Sequence, residues 1–178
     1  ITEGGRLLSG LTADDVEVLD NGVRQTVDHV SFDQIPVNVV FVFDMSESVS
    51  GPTIAALRGA VDGVASGLRP GDQSALLTFN HRVALASPLS PEIGGVRKAT
   101  AALVPRGGTA LVDALYASLS VAEADPSRAV IIVFSDGLDT ASWLSSEQVI
   151  EAAKRVDAVV YAVNARTGRR DRLLSELA

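Results

Sequence analysis

Two strand-length stretches, the near-continuously apolar Val37–Phe43 and the apolar run Ala129–Phe134, constrain this chain more than any other feature. Each has the length of a strand and is far too short to span a membrane as a helix. Neither shows the apolar–polar alternation of a strand with one wet face. A strand that is apolar on both sides must be covered on both sides, the condition met by a parallel sheet between two helical layers.

The residues around these runs supply the covering helices. Ile54, Leu57, Val61, Val64 and Leu68 recur at helical spacing until Arg69-Pro70-Gly71 ends the pattern. Gln73–Asn80 and Arg82–Ala86 read as two strands around a tight turn at Asn80-His81. Ile93–Val104 predicts a helix, stopped by Pro105 and Gly107-Gly108. Leu111–Ala122 predicts another, with Leu111, Leu115, Leu119 and Ala122 on one face. Ser145–Arg155 predicts a third, capped by Ser145 or Ser146 and turning Val149, Ile150 and Ala153 inward. Asp157–Val163 adds a strand, and Asp171–Ala178 begins a helix. The expected fold is α/β: an open, doubly wound, mainly parallel sheet with helices on both faces, over residues 36–178.

Residues 1–35 are patterned differently and form a β-rich lead-in. Val16–Leu19 and Val23–Phe32 predict short strands joined at Asp20-Asn21-Gly22, because a type I′ turn needs positive φ at both central residues and Asn-Gly supplies it. Thr12–Asp15 predicts a turn or a brief helical cap. Pro36 closes the segment.

Composition excludes several function classes. With 22 acidic and 15 basic residues the chain carries a net charge of −7, which opposes sequence-independent nucleic-acid binding. The pair Arg169-Arg170 is too small to make a basic patch. With no cysteine there is no disulfide, thiolate metal site or cysteine nucleophile. The chain opens at Ile1 without a Met, which leaves room for an upstream segment.

In an open α/β sheet, ligands bind where strand carboxyl ends meet the loops that follow. The first apolar run ends in Asp44-Met45-Ser46-Glu47-Ser48, and the second in Ser135-Asp136-Gly137. Arg106-Gly107-Gly108-Thr109 bends just before a helix. Two carboxylates, Asp44 and Asp136, and three hydroxyls, Ser46, Ser48 and Thr109, are thus expected at one sheet edge. Oxygen donors of this kind suit a hard divalent cation, foremost Mg²⁺, with Mn²⁺ or Ca²⁺ as substitutes. A first shell rich in neutral hydroxyls leaves the ion electrophilic and open to an outside carboxylate. Asp and Ser also favour helix caps, so Asp44, Ser46 and Ser48 have a capping reading, but it is the weaker one because capping requires neither Thr109 nor Asp136.

Asp44-x-Ser46-x-Ser48, Gly108-Thr109 and Ser135-Asp136-Gly137 together resemble the metal-ion-dependent adhesion site of von Willebrand factor A-type domains. Residue by residue, Asp44, Ser46, Ser48, Thr109 and Asp136 match the family's five metal-site positions without substitution. The resemblance runs from Val37 to Ala178 and implies a non-enzymatic, cation-dependent protein-binding module whose metal bridges to an acidic residue of the partner. The family's fold ordinarily has one more strand and helix after the position of Ala178, so the domain is expected to lack them. Leu8–Gln25 resembles the lead-in of a bacterial, often exported subgroup, which implies an extracytoplasmic or secreted location.

Two other readings compete. A haloacid dehalogenase-like, Mg²⁺-dependent phosphotransferase would need an acid where Ser46 stands and a suitably placed Lys, and the chain has only Lys98 and Lys154. A structural A-type domain with a vestigial metal site would not be expected to keep all five positions. Glu47 is read as solvent-facing beside the metal, where it would repel some acidic partners. Asp139 is read as a surface loop acid. His29 and His81 are read as surface or strand residues, and Trp143 as either a contact anchor near the site or a packing residue. The specificity rim is expected at Glu47–Val49, Arg106–Thr109 and Leu138–Trp143.

Overall fold

A computed structural model describes residues 2–3, 6–7, 11–28, 30, 35–49, 51–125, 127–135, 138–164 and 172–177. The chain divides into two compact units, Ile1–Ile35 and Pro36–Ala178.

In the first unit, β1 (Thr2–Glu3) pairs antiparallel with β2 (Arg6–Leu7), a ministrand pair that the sequence pattern did not announce. A short 3-10 turn at Ala13–Asp15 follows, in which the Thr12 N–H and hydroxyl both donate to the Asp15 carboxylate at 2.8 Å. The hairpin lies where Asn-Gly predicts it: β3 (Val18–Asp20) and β4 (Val23–Gln25) pair with Asp20 opposite Val23. The two intervening residues take φ of 49° at Asn21 and 81° at Gly22, as a type I′ turn demands. The strands are shorter than expected, and of the predicted second strand residues 29, 31 and 32, His29 among them, lie outside the described residues.

The second unit is built on a five-stranded sheet. Along the chain come β5 (Val37–Asp44), α1 (Gly51–Ala65), β6 (Gln73–Phe79), β7 (Val83–Ser90), α2 (Gly94–Ala101), α3 (Leu111–Ala122), β8 (Arg128–Ser135), α4 (Ser146–Ala153), β9 (Ala158–Asn164) and α5 (Arg172–Leu177). Their order across the sheet is β7-β6-β5-β8-β9, parallel except for β7, which turns back from β6.

β5 shows why the apolar runs lack alternation. Val40 and Val42 enter a core with Leu111, Leu115 and Leu119 of α3, Val149 of α4 and Leu173 of α5. Val39, Phe41 and Phe43 enter a second core with Leu57 and Val61 of α1 and Val96 of α2. Both faces of the central strand are therefore buried, as the doubly wound expectation requires. The chain winds to β6 on one side of β5 and later to β8 on the other. The carboxyl ends of β5 and β8 flank the point where the winding direction reverses, which is where α/β sheets open a crevice.

The opposite, amino-terminal edge is fastened by one carboxylate. Asp125 accepts from the Asn38 side-chain amide at 3.0 Å, the Gln73 side-chain amide at 3.3 Å and the Ser127 N–H at 2.9 Å. It thereby joins the starts of β5 and β6 to the turn before β8. Hydrogen bonds from Ser127 and then Asn38 hold its carboxyl well below the ordinary value, at about 2. A carboxyl depressed in the folded state contributes stability above its unfolded value, and that contribution disappears as pH falls through the folded one. Urea midpoints should therefore fall between pH about 4 and about 2, with Asp125→Asn falling less steeply over that window. Parallel curves for the two proteins would contradict the role given to Asp125.

Candidate functional site

Asp44, the last residue of β5, is only 2% exposed. One carboxylate oxygen accepts the Ser46 N–H at 2.9 Å and the other accepts the Ser135 hydroxyl at 2.8 Å. The first bond folds the Asp44–Ser46 turn onto its own strand end, and the second ties β5 to the end of β8. Among the described residues no basic side chain pairs with Asp44. A buried carboxylate without a counter-charge is costly, and two hydrogen bonds offset only part of that cost.

The hydroxyls stand beside it. Ser46 is buried and Ser48 exposed, and their Oγ atoms lie 2.9 Å apart, so the alternate positions do aim both hydroxyls at a common place. The loop before α3 is held against this turn by two backbone bonds, Arg106 N–H to the Met45 carbonyl at 2.8 Å and Glu47 N–H to the Gly107 carbonyl at 3.0 Å. Met45 N–H donates to the Phe79 carbonyl at 2.6 Å, which anchors the turn to the end of β6. Gly107 has φ of 77°, and a side chain there would also run into the His81 ring.

Thr109 is buried at the end of this loop. Its N–H donates to the Thr140 hydroxyl at 3.0 Å, and its carbonyl accepts the Thr140 and Ala141 N–H groups at 2.8 and 3.0 Å. No hydrogen bond to a described residue engages its hydroxyl. The fifth predicted residue, Asp136, and its neighbour Gly137 lie outside the described residues, as does the pair Arg169-Arg170. Among the described residues no three His, Cys, Asp or Glu side chains gather into a metal cluster.

Asp139 is exposed, as a surface loop acid would be, but it also has a structural role that no local pattern marks. Its carboxylate accepts the N–H groups of Leu111 and Val112 at 2.8 and 3.3 Å and the Ser142 hydroxyl at 2.6 Å. Asp139 therefore caps α3 from across the site, because Ala110 at the helix start offers no side-chain acceptor. Asp113 returns the favour, accepting the N–H groups of Trp143 and Leu144 at 3.1 and 2.9 Å. The two carboxylates lock the Thr140–Leu144 loop to α3 and leave Trp143 96% exposed, which favours the contact-anchor reading over packing. No local motif marks a cap supplied from a distant loop.

Comparison with known proteins agrees with this architecture. Residues 39–138, more than half of the chain, match the family model described as von Willebrand factor type A domain. The chain belongs to that family, whose domains generally mediate protein–protein interaction. It is 28% identical over 138 residues to inter-alpha-trypsin inhibitor heavy chain H2 from Sus scrofa and from Mus musculus, covering 70% of this chain and 15% of each relative. The chain thus spans only a small part of these curated relatives. Among solved structures it resembles the vWF domain of the type V pili tip protein Mfa5 from Porphyromonas gingivalis, with 28% identity, a TM-score of 0.51, and coverage of 60% of this chain and 39% of that one. It also shares its fold with proximal thread matrix protein 1 from the mussel byssus, solved with a zinc-occupied MIDAS motif, at 22% identity and a TM-score of 0.69 over 80% of this chain and 39% of that one.

Removing the remote cap should be costly. Asp139→Ala should destabilise the protein by about 1–2 kcal/mol in urea denaturation, and Asp139→Asn by less, since Asn also accepts from helix N–H groups. Equal stability of Asp139→Ala and wild type would contradict the capping role.

Proposed function

We propose that this chain is a divalent-cation-dependent protein-binding module in which Asp44, Ser46, Ser48, Thr109 and Asp136 hold one Mg²⁺. The observation that carries the proposal is the buried Asp44 carboxylate, with no basic partner among the described residues and with the Ser46 and Ser48 hydroxyls meeting beside it. The donor chemistry fits a hard cation: every predicted ligand is an oxygen, and the Thr109 hydroxyl is not engaged by any described residue. Asp136 follows directly after Ser135, whose hydroxyl is already bonded to Asp44. When bound, the ion would supply a Lewis-acidic position for a carboxylate of the partner. The chain's own residues do the rest: Asp44 offsets the charge, the backbone bonds to Met45 and Gly107 fix the turn, and the Thr140–Leu144 loop presents Trp143 to the partner.

The zinc-occupied site of the mussel protein supports cation binding by analogy of fold, while the choice of Mg²⁺ here rests on the oxygen donors. A phosphotransferase reading finds no support at this edge, since Ser46 stands where a second acid is needed. The lead-in at Leu8–Gln25 favours membership of the bacterial, exported subgroup and an extracytoplasmic location.

Ligand linkage gives the test. Millimolar Mg²⁺ or Mn²⁺ should raise the melting temperature relative to EDTA, and Asp44→Ala should abolish the rise. Superimposable melting curves of the wild-type protein with Mg²⁺, with Mn²⁺ and with EDTA would remove the cation from the account.

A further inference from the structure

The loops that fix the Asp44 turn also border a groove that the sequence did not reveal. Asp44 pairs with Phe79 across the parallel strands, so the Asn80–Arg82 turn leaves β6 at the same sheet edge as the candidate site. That turn is closed by the Asn80 N–H to the Arg82 carbonyl and by the Arg82 N–H to the Asn80 side chain, at 3.0 and 2.9 Å. Opposite it stands the loop before α3, where Arg106 is bonded through its N–H to Met45. The two loops enclose an open groove of about 810 Å³.

The groove has a distinct chemistry. His81, Arg82 and Arg106 line it, Leu103 and Val104 supply apolar wall, and no carboxylate is among the described residues that line it. Arg82 and Arg106 are exposed, and neither guanidinium makes an ion pair with a described residue. Val104 is 72% exposed. In a chain with 22 acidic side chains against 15 basic ones, a groove whose described lining holds two arginines and no acid is a local reversal of charge. Two arginines lining one groove suit a planar carboxylate, which a guanidinium binds through paired N–H donors.

We infer that this groove receives a second acidic side chain of the bound partner, so that the partner segment is an acidic peptide carrying two carboxylates, one for the cation and one for Arg82 and Arg106. The inference rests on the cation-dependent reading and extends the specificity rim to the Asn80–Arg82 turn. Arg82 and Arg106 act as specificity residues, and their contact with a peptide should weaken with salt, as exposed ion pairs do.

The test uses the full chain in millimolar Mg²⁺ and fluorescein-labelled synthetic peptides read by fluorescence polarisation. One peptide carries a single Asp in a neutral Ser/Ala background. A second set adds a Glu at successive distances from that Asp, and a third replaces the added Glu by Gln. At the favoured spacing the Glu peptide should bind about fivefold more tightly than its Gln counterpart. The double variant Arg82→Ala/Arg106→Ala should erase that ratio, which is read within the variant and so holds whatever its single-Asp affinity. A ratio near one at every spacing, or a ratio that persists in the double variant, would overturn the inference. Failure of the cation reading gives a different result: single-Asp binding that survives EDTA and Asp44→Ala, with the Glu-to-Gln ratio still dependent on the two arginines.

Discussion

A carboxylate sits buried at the carboxyl end of the central strand, and the surrounding loops are arranged to keep it there. Asp44 is reached by the Ser46 N–H from its own turn and by the Ser135 hydroxyl from the neighbouring strand. Taking a carboxylate out of water without a counter-charge is among the more expensive choices a fold can make. Such a cost persists where the group serves binding, and an acid at the switch point of an α/β sheet stands where ligands of that architecture bind. The proposed cation would offset the burial and turn it into affinity for a partner's acid.

The rest of the domain gives that carboxylate a rigid frame. β5 is packed on both faces, with valines toward α3 on one side and phenylalanines toward α1 and α2 on the other. Met45 is tied to the end of β6 and to Arg106, and Glu47 is tied to Gly107, so three chain segments share the turn through backbone bonds alone. Asp139 and Asp113 then fasten the Thr140–Leu144 loop to α3. Side-chain identity on the rim can therefore change without loosening the frame, which is how one fold presents different surfaces to different partners.

Patterns confined to a single segment were legible in the sequence. Asn21-Gly22 marked its turn because positive φ is a local demand, and Leu111–Ala122 marked its helix because one face must be apolar along its whole length. Strand β7 was underestimated. It runs on to Ser90 through Pro88, which is tolerable because β7 lies at the sheet edge and shifts register against β6. The expected helix Ile93–Val104 is confined to Gly94–Ala101, since the residues after it turn out to wall the groove instead. Of the site, Asp44, Ser46, Ser48 and the loop to Thr109 were readable from their place after strands and before a helix. The cap from Asp139 and the groove lined by Arg82 and Arg106 were not, because both depend on loops that only the tertiary fold brings together.

In the proposed site the Asp44 turn and the Thr109 hydroxyl share one metal ion. A crystal structure of the protein grown with Mn²⁺, with anomalous diffraction recorded to locate the metal, tests it most directly. One anomalous peak should lie at the ends of β5 and β8, with the Ser46, Ser48 and Thr109 hydroxyls as direct ligands and Asp44 and Asp136 reaching it directly or through water. A peak elsewhere, or none at this edge while Asp44 keeps only its bonds to Ser46 and Ser135, would contradict the account.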